Sequence, residues 1–295
     1  MLPFMKYKWL YAIISSLVLV SGIFSLVVWS LEPSIDFSGG TLLELKFKQD
    51  TKILIYGDIR SILEEKGLEV SSVQSSGEGL VLIRMKPITT NEVATIKAIL
   101  AEKFEEMPEE TRFETVGPIL GQELLQKTFV AAILAVFGIL AYVAHAFKNL
   151  RYGVSAVLAL LHDLLVVTGI FSLLGHFRGV EVDALFVTAV LTTMSFSVHD
   201  TIVVFDRIRE TLRKNPGVDF ESLTNHAITE TMGRSLNNSL TIVFMLLALL
   251  LLGGQTIKWF IFALLIGTIS GTYSSPFVAT PILVIWNKIE EKRKK

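Results

Sequence analysis

The sequence predicts a polytopic α-helical membrane protein with six transmembrane helices and one α+β ferredoxin-like domain between the first and second helices. Six apolar runs predict the helices, because each is near the ~20 residues that cross a hydrocarbon core of ~30 Å. A charged segment predicts the domain, since residues 30–127 hold 28 of the 55 charged side chains. Strand and helix patterns alternate in that segment in the ferredoxin-like order.

The overall composition excludes several classes of protein. Of the 295 residues, 51% are apolar and 19% are charged, and the mean hydropathy is +0.56, whereas soluble domains carry about 25% charge. The absence of cysteine excludes disulfides, thiolate metal sites and cysteine nucleophiles. A net charge of −1 gives no argument for nucleic-acid binding, and we expect none. We also expect no metal and no catalytic residues, so the chain is predicted not to be an enzyme.

The six predicted spans cover residues 10–30, 128–147, 154–174, 184–205, 237–254 and 259–283. The first run follows Lys6 and Lys8, so a cleaved signal peptide is the alternative for it. The run is about 20 residues long, however, and lacks a small-x-small cleavage site before Glu32. Trp9 and Trp29 flank it, as aromatic residues do at a membrane interface. These features favour a retained anchor.

Basic residues near the spans predict the orientation of the chain. With the N-terminus inside, the inner segments hold 14 Lys and Arg residues, whereas the short outer loops hold only Arg178 and Lys258. Both termini are therefore predicted to be cytoplasmic. The resulting divisions are an N-terminal tail and first helix at 1–30, an outer domain at 31–127, a five-helix bundle at 128–286 with a cytoplasmic loop at 206–235, and a basic cytoplasmic tail at 287–295.

The predicted cytoplasmic loop contains helix signals of its own. Asp206 and the residues after it continue the fourth helix, which Asn215-Pro216-Gly217 then breaks. Asp219 is expected to cap a further helix that runs to about Gly233.

Periodicity predicts the elements of the outer domain. Strands are expected at 41–48, 68–74, 80–86 and 112–116, and helices at 53–67 and 90–105, with Thr89 or Thr90 capping the second helix. Paired carboxylates, histidine clusters and phosphate loops are absent from this segment, which favours a docking module over an enzyme. Before the first strand, Gly39 and Gly40 permit positive φ, and Asp36 is placed to bond local amides.

Two acidic residues interrupt the apolar spans. Outside the charged segment there are 11 Asp and Glu residues, and all but Asp163 and Asp200 fall in loops or tails. An acid at mid-bilayer costs roughly 2.5–3.5 kcal/mol on insertion scales and usually faces the bundle interior, where it serves a pathway or a proton relay. Asp163 lies about 13 Å and Asp200 about 8 Å from the inner ends of their antiparallel spans. We therefore expect both in the inner half of the membrane, facing one cavity.

The neighbours of these acids are polar. His162 and His199 precede them, but adjacent helical side chains point about 100° apart, so each His is expected to bond a carbonyl rather than its neighbour. In the fourth span, four residues share one face: Thr193, Ser197, Asp200 and Val204. Such a hydroxyl face either holds helices together or carries water for a proton path.

The fifth and sixth spans add two further features. Arg234 is the nearest candidate cation for Asp200, with a positive-inside anchor as the alternative interpretation. In the sixth span, Gly267 and Gly271 form a small-xxx-small step that suits close helix contact, and Pro276 predicts a bend.

Five segments together carry a resemblance to a known family. They are Asp-Phe-Ser-Gly-Gly-Thr at 36–41, Leu-His-Asp at 161–163, the run 198–210, Arg-Ser-Leu-Asn-Asn-Ser-Leu-Thr at 234–241, and Gly-Thr-Tyr-Ser-Ser at 271–275. In this order, over essentially the whole chain, they resemble the SecF members of the SecD/SecF protein-export family. The run 198–210 is specific, and the others are weak alone. Two positions depart from the family pattern, which usually has Asn at His199 and Thr at Asn238.

The resemblance implies a fold and a function. It implies six spans of the resistance-nodulation-division type, one periplasmic ferredoxin-like domain and assembly with SecD in the bacterial inner membrane. Such a unit uses the proton gradient to complete translocation of preproteins emerging from SecYEG, with protons as the coupling ion and no other cofactor. Because the chain ends soon after six spans, we expect a separate subunit rather than a SecD–SecF fusion.

The resemblance also implies roles for individual residues. Asp200 is the implied proton carrier, Arg234 its partner and Asp163 a further position of the coupling site. Expected modulators are His199, His162, Ser197 and Thr201. Expected structural motif residues are Asp36, Gly39, Gly40 and Gly271.

Three other functions remain open at this stage. A stand-alone exporter of small molecules or lipids is the main alternative, although such proteins usually need two six-span halves. An intramembrane aspartyl protease also uses two acids on adjacent spans, but the Tyr-Asp and Gly-x-Gly-Asp contexts of that family are absent. The third is a passive scaffold whose outer domain only holds partners, and this function would require neither Asp163 nor Asp200.

Overall fold

The computed structural model describes residues 3–47, 56–77 and 79–294. The chain forms two compact units, one of Pro33–Phe129 and one of Met1–Glu32 together with Val130–Lys295. After a 3₁₀ turn at Phe4–Tyr7, the elements are α1 Lys8–Val28, α2 Ile35–Ser38, β1 Gly40–Lys46, α3 Tyr56–Glu65, β2 Val70–Gly77, β3 Leu80–Met85, α4 Thr90–Phe104, β4 Glu109–Val116, α5 Pro118–Phe147, α6 Leu150–Arg178, α7 Ala184–Lys214, α8 Phe220–Leu252, α9 Lys258–Ser274 and α10 Thr280–Lys294.

Six segments within the described residues are long and apolar enough to cross a membrane, which confirms the predicted number of spans. The sixth segment contains both α9 and α10, joined by a π-helical turn at Ser275–Ala279. Pro276 lies in that turn, where its missing N–H and its ring are incompatible with a regular α-helical ladder. The sequence predicts a bend at this proline, and the structure has a π turn there.

Most of the segment 206–235 is helical, as the sequence predicts. The helix α7 runs to Lys214, and only residues 215–219 separate it from α8. Asp219 is the N-cap of α8, as predicted, and accepts a hydrogen bond from the Ser222 amide at 2.9 Å. The helix does not end near Gly233, because an interior glycine costs only about 1 kcal/mol relative to alanine. Polar residues thus extend these helices beyond their apolar runs.

The unit Pro33–Phe129 contains a four-stranded antiparallel sheet in the order β2-β3-β1-β4, which confirms the ferredoxin-like fold. Leu43 of β1 lies opposite Ile83 of β3 and Phe113 of β4. The side chains of α3 and α4 complete the core of this unit, with Ile59 and Ile96 fully buried.

Element bounds in this unit differ from the predicted ones at several ends. The strand β4 begins at Glu109, three residues before its predicted start. Glu109 and Glu110 pair with Lys46 and Leu45 of β1, but the polar residues 109–111 show no apolar alternation that would predict a strand. Ile53 and Ile55, which open the predicted first helix, lie outside the described residues.

Thr89 caps α4, as predicted, and its amide donates to the Glu92 carboxylate at 2.7 Å. This hydrogen bond lowers the pKa of Glu92.

The turn before β1 has the predicted backbone. Gly39 and Gly40 have φ of 72° and 133°, which are unfavourable for residues with a side chain. A Cβ atom on Gly39 would also lie 2.7 Å from the Cα of Pro118, at the start of α5. The hydroxyl of Ser34 caps the short helix α2 by accepting from the Asp36 amide at 3.2 Å.

Glycines bring the helices of the other unit close together. A Cβ on Gly267 would lie 2.4 Å from Thr193 Cγ2, and a Cβ on Gly271 would lie 2.9 Å from Ser197 Cβ. The predicted small-xxx-small contact is therefore made between α9 and α7. A second close crossing joins α1 to α6, where a Cβ on Gly169 would lie 2.6 Å from the Cα of Gly22.

Candidate functional site

Asp163 of α6 is the centre of a cluster of hydroxyl groups. Its side chain is buried, with 5% exposed. Ser197 and Ser274 each donate to Oδ2 at 2.6 Å, and Ser270 donates to Oδ1 at 2.6 Å. Three hydrogen bonds from two neighbouring helices thus hold this one carboxylate.

The local sequence explains how these donors reach Asp163. Ser270 and Ser274 lie four residues apart and therefore share one face of α9. Gly271 lies beside them and lets α9 approach Ser197 of α7 without a side chain between the helices. Gly271 therefore belongs to the site as a spacer, in agreement with its predicted structural role.

His162 contacts its own neighbour, contrary to the expectation that it bonds a carbonyl. Its Nδ1 lies 3.0 Å from Oδ1 of Asp163. The imidazole is long enough to reach back across the angle between adjacent side chains, and Asp163 offers it a buried acceptor. The other ring nitrogen, Nε2, is buried and has no hydrogen-bond partner among the described residues.

Asp200 of α7 has a different environment. Its side chain is buried, with 8% exposed. The Ser235 hydroxyl of α8 donates to Oδ1. The other oxygen, Oδ2, is buried and accepts no hydrogen bond within the described part of the chain, although Ser275 lies nearby.

Hydroxyl groups connect the surroundings of the two acids. Thr201, next to Asp200, donates to the carbonyl of Ser197 at 3.1 Å, and Ser197 in turn bonds Asp163. The Thr201 hydroxyl also lies 2.9 Å from that of Ser275. Ser274 bonds Asp163, and Ser275 follows it in the chain. The first residue of the π turn therefore lies close to the surroundings of both acids. The surroundings of the two acids therefore share Thr201 and Ser275, whereas the hydrogen bond to Asp200 itself comes from Ser235.

Arg234 and His199 have exposed side chains. Neither forms an ion pair or a hydrogen bond with Asp200 in the described structure. The residue after Arg234, Ser235, makes the direct contact from α8.

Four serines of the site are not among the coupling residues and modulators that the sequence predicts, although three of them lie in the motif segments 234–241 and 271–275: Ser235, Ser270, Ser274 and Ser275. A signal for one pair is present, because Ser270 and Ser274 recur at helical spacing on an otherwise apolar span. The motif residues Asp36, Gly39 and Gly40 belong to the other unit and have no place in this cluster.

The chemistry that this arrangement permits is proton binding. It offers two carboxylates, an imidazole and hydroxyls that both donate and accept. No cluster of three or more His, Asp or Glu residues within the described ranges is arranged to hold a metal ion. Buried ionisable groups of this kind in membrane spans are rare and mark ion pathways and proton relays.

Comparisons with known proteins agree over almost the whole chain. Residues 95–289 match the family described as "Protein export membrane protein SecD/SecF, C-terminal", and residues 31–51 match the "SecD/SecF GG Motif". A protein translocase subunit SecF from Thermobaculum terrenum is 43% identical, with 97% of this chain and 94% of the relative covered. The SecF subunit of Anaerolinea thermophila is 37% identical, with 98% and 96% covered.

A solved structure shows the same fold. The crystal structure of SecDF from Thermus thermophilus, described as a translocon-associated membrane protein, has a TM-score of 0.85 and 31% identity. The match covers 97% of this chain but only 38% of the SecDF chain. Taken with the two sequence matches and the two SecF relatives, this agreement confirms the resemblance seen in the sequence. The chain belongs to the SecF family of protein translocase subunits.

Proposed function

We propose that this chain is an accessory subunit of the Sec preprotein translocase that works with SecD and uses the proton gradient to complete protein export. Membership of a family of translocase subunits supports the transport role. The observation that carries the proton coupling is the pair of buried carboxylates, Asp163 and Asp200, each of which accepts hydrogen bonds from serine hydroxyls inside an apolar bundle. Such acids cost stability in a membrane and are kept for function.

Asp200 is the proton carrier in this proposal. Its Oδ2 accepts no hydrogen bond from the described residues, so a proton can bind there without displacing a donor. Asp163 differs, because serine hydroxyls occupy both of its oxygens. We assign Asp163 the role of holding α6, α7 and α9 together while Asp200 changes its charge.

Protonation of Asp200 would change the hydrogen bonds around it. A protonated carboxyl group donates a hydrogen bond, whereas a carboxylate only accepts. The O–H formed at Oδ2 then needs an acceptor, which the nearby Ser275 hydroxyl can supply, while Ser235 keeps its hydrogen bond to Oδ1. Ser235 belongs to α8, and Ser275 begins the π turn, an irregularity frequent at functional sites. The charge of one side chain is in this way coupled to two helices.

The distribution of basic residues supports a topology in the bacterial inner membrane. The 14 basic residues assigned to the inner segments, against two in the outer loops, favour cytoplasmic termini. The unit Pro33–Phe129 then lies in the periplasm, where preproteins emerge from the SecYEG channel. The description of the Thermus SecDF as translocon-associated supports the same location.

An exposed polar face on α7 and α8 supports SecD as the membrane partner. We define this polar face as His199, Arg234, Asn237 and Asn238, whose side chains are exposed and make no hydrogen bond with other described residues. Lipid chains cannot satisfy such groups, and polar side chains within spans usually face other protein segments. A companion chain with spans of its own meets this need.

The test compares Asp200→Asn with Asp206→Asn, a change of an acid on the same helix whose side chain is 60% exposed and pairs with Arg209. Export of a preprotein into inverted membrane vesicles is measured with the proton gradient intact and after an ionophore collapses it. We expect Asp200→Asn to abolish the part of export that depends on the gradient, because the carrier can no longer change its charge. Asp206→Asn should retain that part.

Co-purification of SecD with each variant controls for assembly. Retained SecD together with full gradient dependence in Asp200→Asn would contradict the proposal and favour a passive scaffold. Efflux of small molecules by the chain in vesicles without SecD would instead favour the stand-alone exporter.

A further inference from the structure

One face of α6 carries three polar atoms that are buried and have no hydrogen-bond partner among the described residues. They are Nε of Arg151, Oγ of Ser155 and Nε2 of His162. Ser155 is fully buried, and the His162 side chain is 95% buried, with 5% exposed. Leaving one such group unpaired costs about 1–3 kcal/mol, so three on one helix require an explanation.

The three residues are aligned along the helix axis. Their spacing of four and seven residues places them within about 40° of each other around α6. From Arg151 the face rises about 6 Å to Ser155 and about 10 Å further to His162. Ala159, which is fully buried, lies between the last two and contributes only a methyl group. We call these residues, Arg151, Ser155, Ala159 and His162, the α6 inner face.

The α6 inner face connects a helix end to Asp163. At the Arg151 end of this face, Nη1 of Arg151 donates to Asn287 of α10 at 2.6 Å and lies 3.4 Å from Glu290. At the His162 end, Nδ1 of His162 lies 3.0 Å from Asp163, and Nε2 has no partner among the described residues. The titratable side chain of Tyr273 of α9 also lies near the imidazole, with ring centres 6.2 Å apart.

We infer that water enters the bundle along the α6 inner face and that His162 joins this water to Asp163 by hydrogen bonds at its two ring nitrogens. Water satisfies buried polar groups that lack a protein partner, and this face presents three of them. Imidazole has a nitrogen on each side of its ring, so Nε2 can bond water while Nδ1 bonds the carboxylate of Asp163. The inference rests on the proposed function for its direction, with the Arg151 end on the cytoplasmic side.

The test uses the absence of cysteine from the chain, so that each introduced thiol is the only one in this subunit. Ser155→Cys and Ala159→Cys place a thiol on the α6 inner face. Ala156→Cys and Val167→Cys, at positions that are 1% and 2% exposed, place it on other faces of the same helix. Each variant, assembled with SecD in inverted vesicles, is treated with Ag⁺ in nitrate medium. The thiols that remain are then counted with a fluorescent maleimide after denaturation.

We expect Ag⁺ to block the thiols at 155 and 159 at least about tenfold faster than those at 156 and 167, a ratio that corresponds to about 1.4 kcal/mol. Equal rates at all four positions would overturn the inference. The readout does not depend on export. Unreactive thiols at 155 and 159 therefore refute the water path even if Asp200→Asn stops export. Reactive thiols support the path even if Asp200→Asn leaves export unchanged and the proposed function fails.

Discussion

The environments of Asp163 and Asp200 show how two identical side chains acquire different capacities. A carboxylate has about four lone-pair sites. Three serine hydroxyls and one imidazole nitrogen surround Asp163, whereas one serine hydroxyl is bonded to Asp200. A fully bonded acid resists any change, because each proton gained displaces a donor. An acid with one unoccupied oxygen is suited to change its charge repeatedly.

Removing one hydrogen-bond donor to Asp163 should lower the stability of the helix bundle without unfolding it. We expect Ser274→Ala to lower the free energy of unfolding by about 1 kcal/mol, because a hydrogen bond to a charged group is lost while two serine donors remain. Ser195→Ala, an exposed hydroxyl on α7, should change it by much less. Thermal unfolding of the detergent-purified chain measures both. Equal stability of the two variants would show that the hydroxyl cluster does not hold Asp163.

At this scale the sequence identifies the acids but not their partners. Asp163 and Asp200 stand out because charge is rare in apolar runs. Serine gives no comparable signal, since it is common in membrane helices and often bonds its own backbone. Ser235 and Ser275 become recognisable only when α8 and the π turn are placed beside α7. The contact of His162 with Asp163 depends on a rotamer that spacing does not specify.

Among the elements, the contact of α9 with α7 controls the geometry of the site. The serines on α9 reach Asp163 of α6 only because Gly267 and Gly271 allow α9 to lie directly against Thr193 and Ser197. Close approach of this kind is typical of membrane helices, where small residues at the interface increase the packing contacts. The glycines thus act on Asp163 at a distance, through helix position.

A methyl group at Gly271 should therefore disturb the site as well as the fold. In Gly271→Ala the new Cβ would lie 2.9 Å from Ser197 Cβ and 3.2 Å from its Cα, so the helices must separate. We expect a loss of about 1–3 kcal/mol in the free energy of unfolding, as for other overpacked interiors. Thermal unfolding in detergent measures it. Gly138→Ala on α5, where a Cβ meets nothing within 4 Å, is the control and should be neutral or stabilising. An equally stable Gly271→Ala variant would argue against the close contact.

Elements are more predictable than contacts, although their ends are not. Apolar length indicates all six spans, and strand periodicity indicates the ferredoxin-like order. The helix α8 passes Gly233 because its backbone hydrogen bonds outweigh the cost of one glycine. The early start of β4 is hidden because its first residues, 109–111, are polar and lack the apolar alternation that predicts a strand. Local sequence therefore underestimates elements wherever polar residues continue them.

For the whole molecule, the distribution of polar groups separates surfaces that face lipid from those that face protein. The exposed side of α5 carries apolar side chains such as Phe129 and Phe137, as a lipid-facing helix does. The polar face on α7 and α8 lies on the same unit but exposes an imidazole, a guanidinium and two amides. His199 adjoins Asp200 in α7, and Arg234 adjoins Ser235, which bonds Asp200, so a partner that covers these two residues would also shield Asp200 from lipid.

The polar face should accordingly lie against SecD in the assembled unit. With Asn238→Cys as the single thiol of the chain, we attach a benzophenone maleimide and irradiate native membranes. We expect an adduct with SecD, because the amide at this position faces outward and lacks a partner among the described residues. Phe137→Cys, on the apolar side of α5 and 67% exposed as phenylalanine, is the matched control and should yield little or none. Adducts of equal yield from both positions would mean that polarity does not mark the partner surface. A SecD adduct from position 137 alone would place SecD against α5 and leave Arg234 and Asp200 to be covered by another chain.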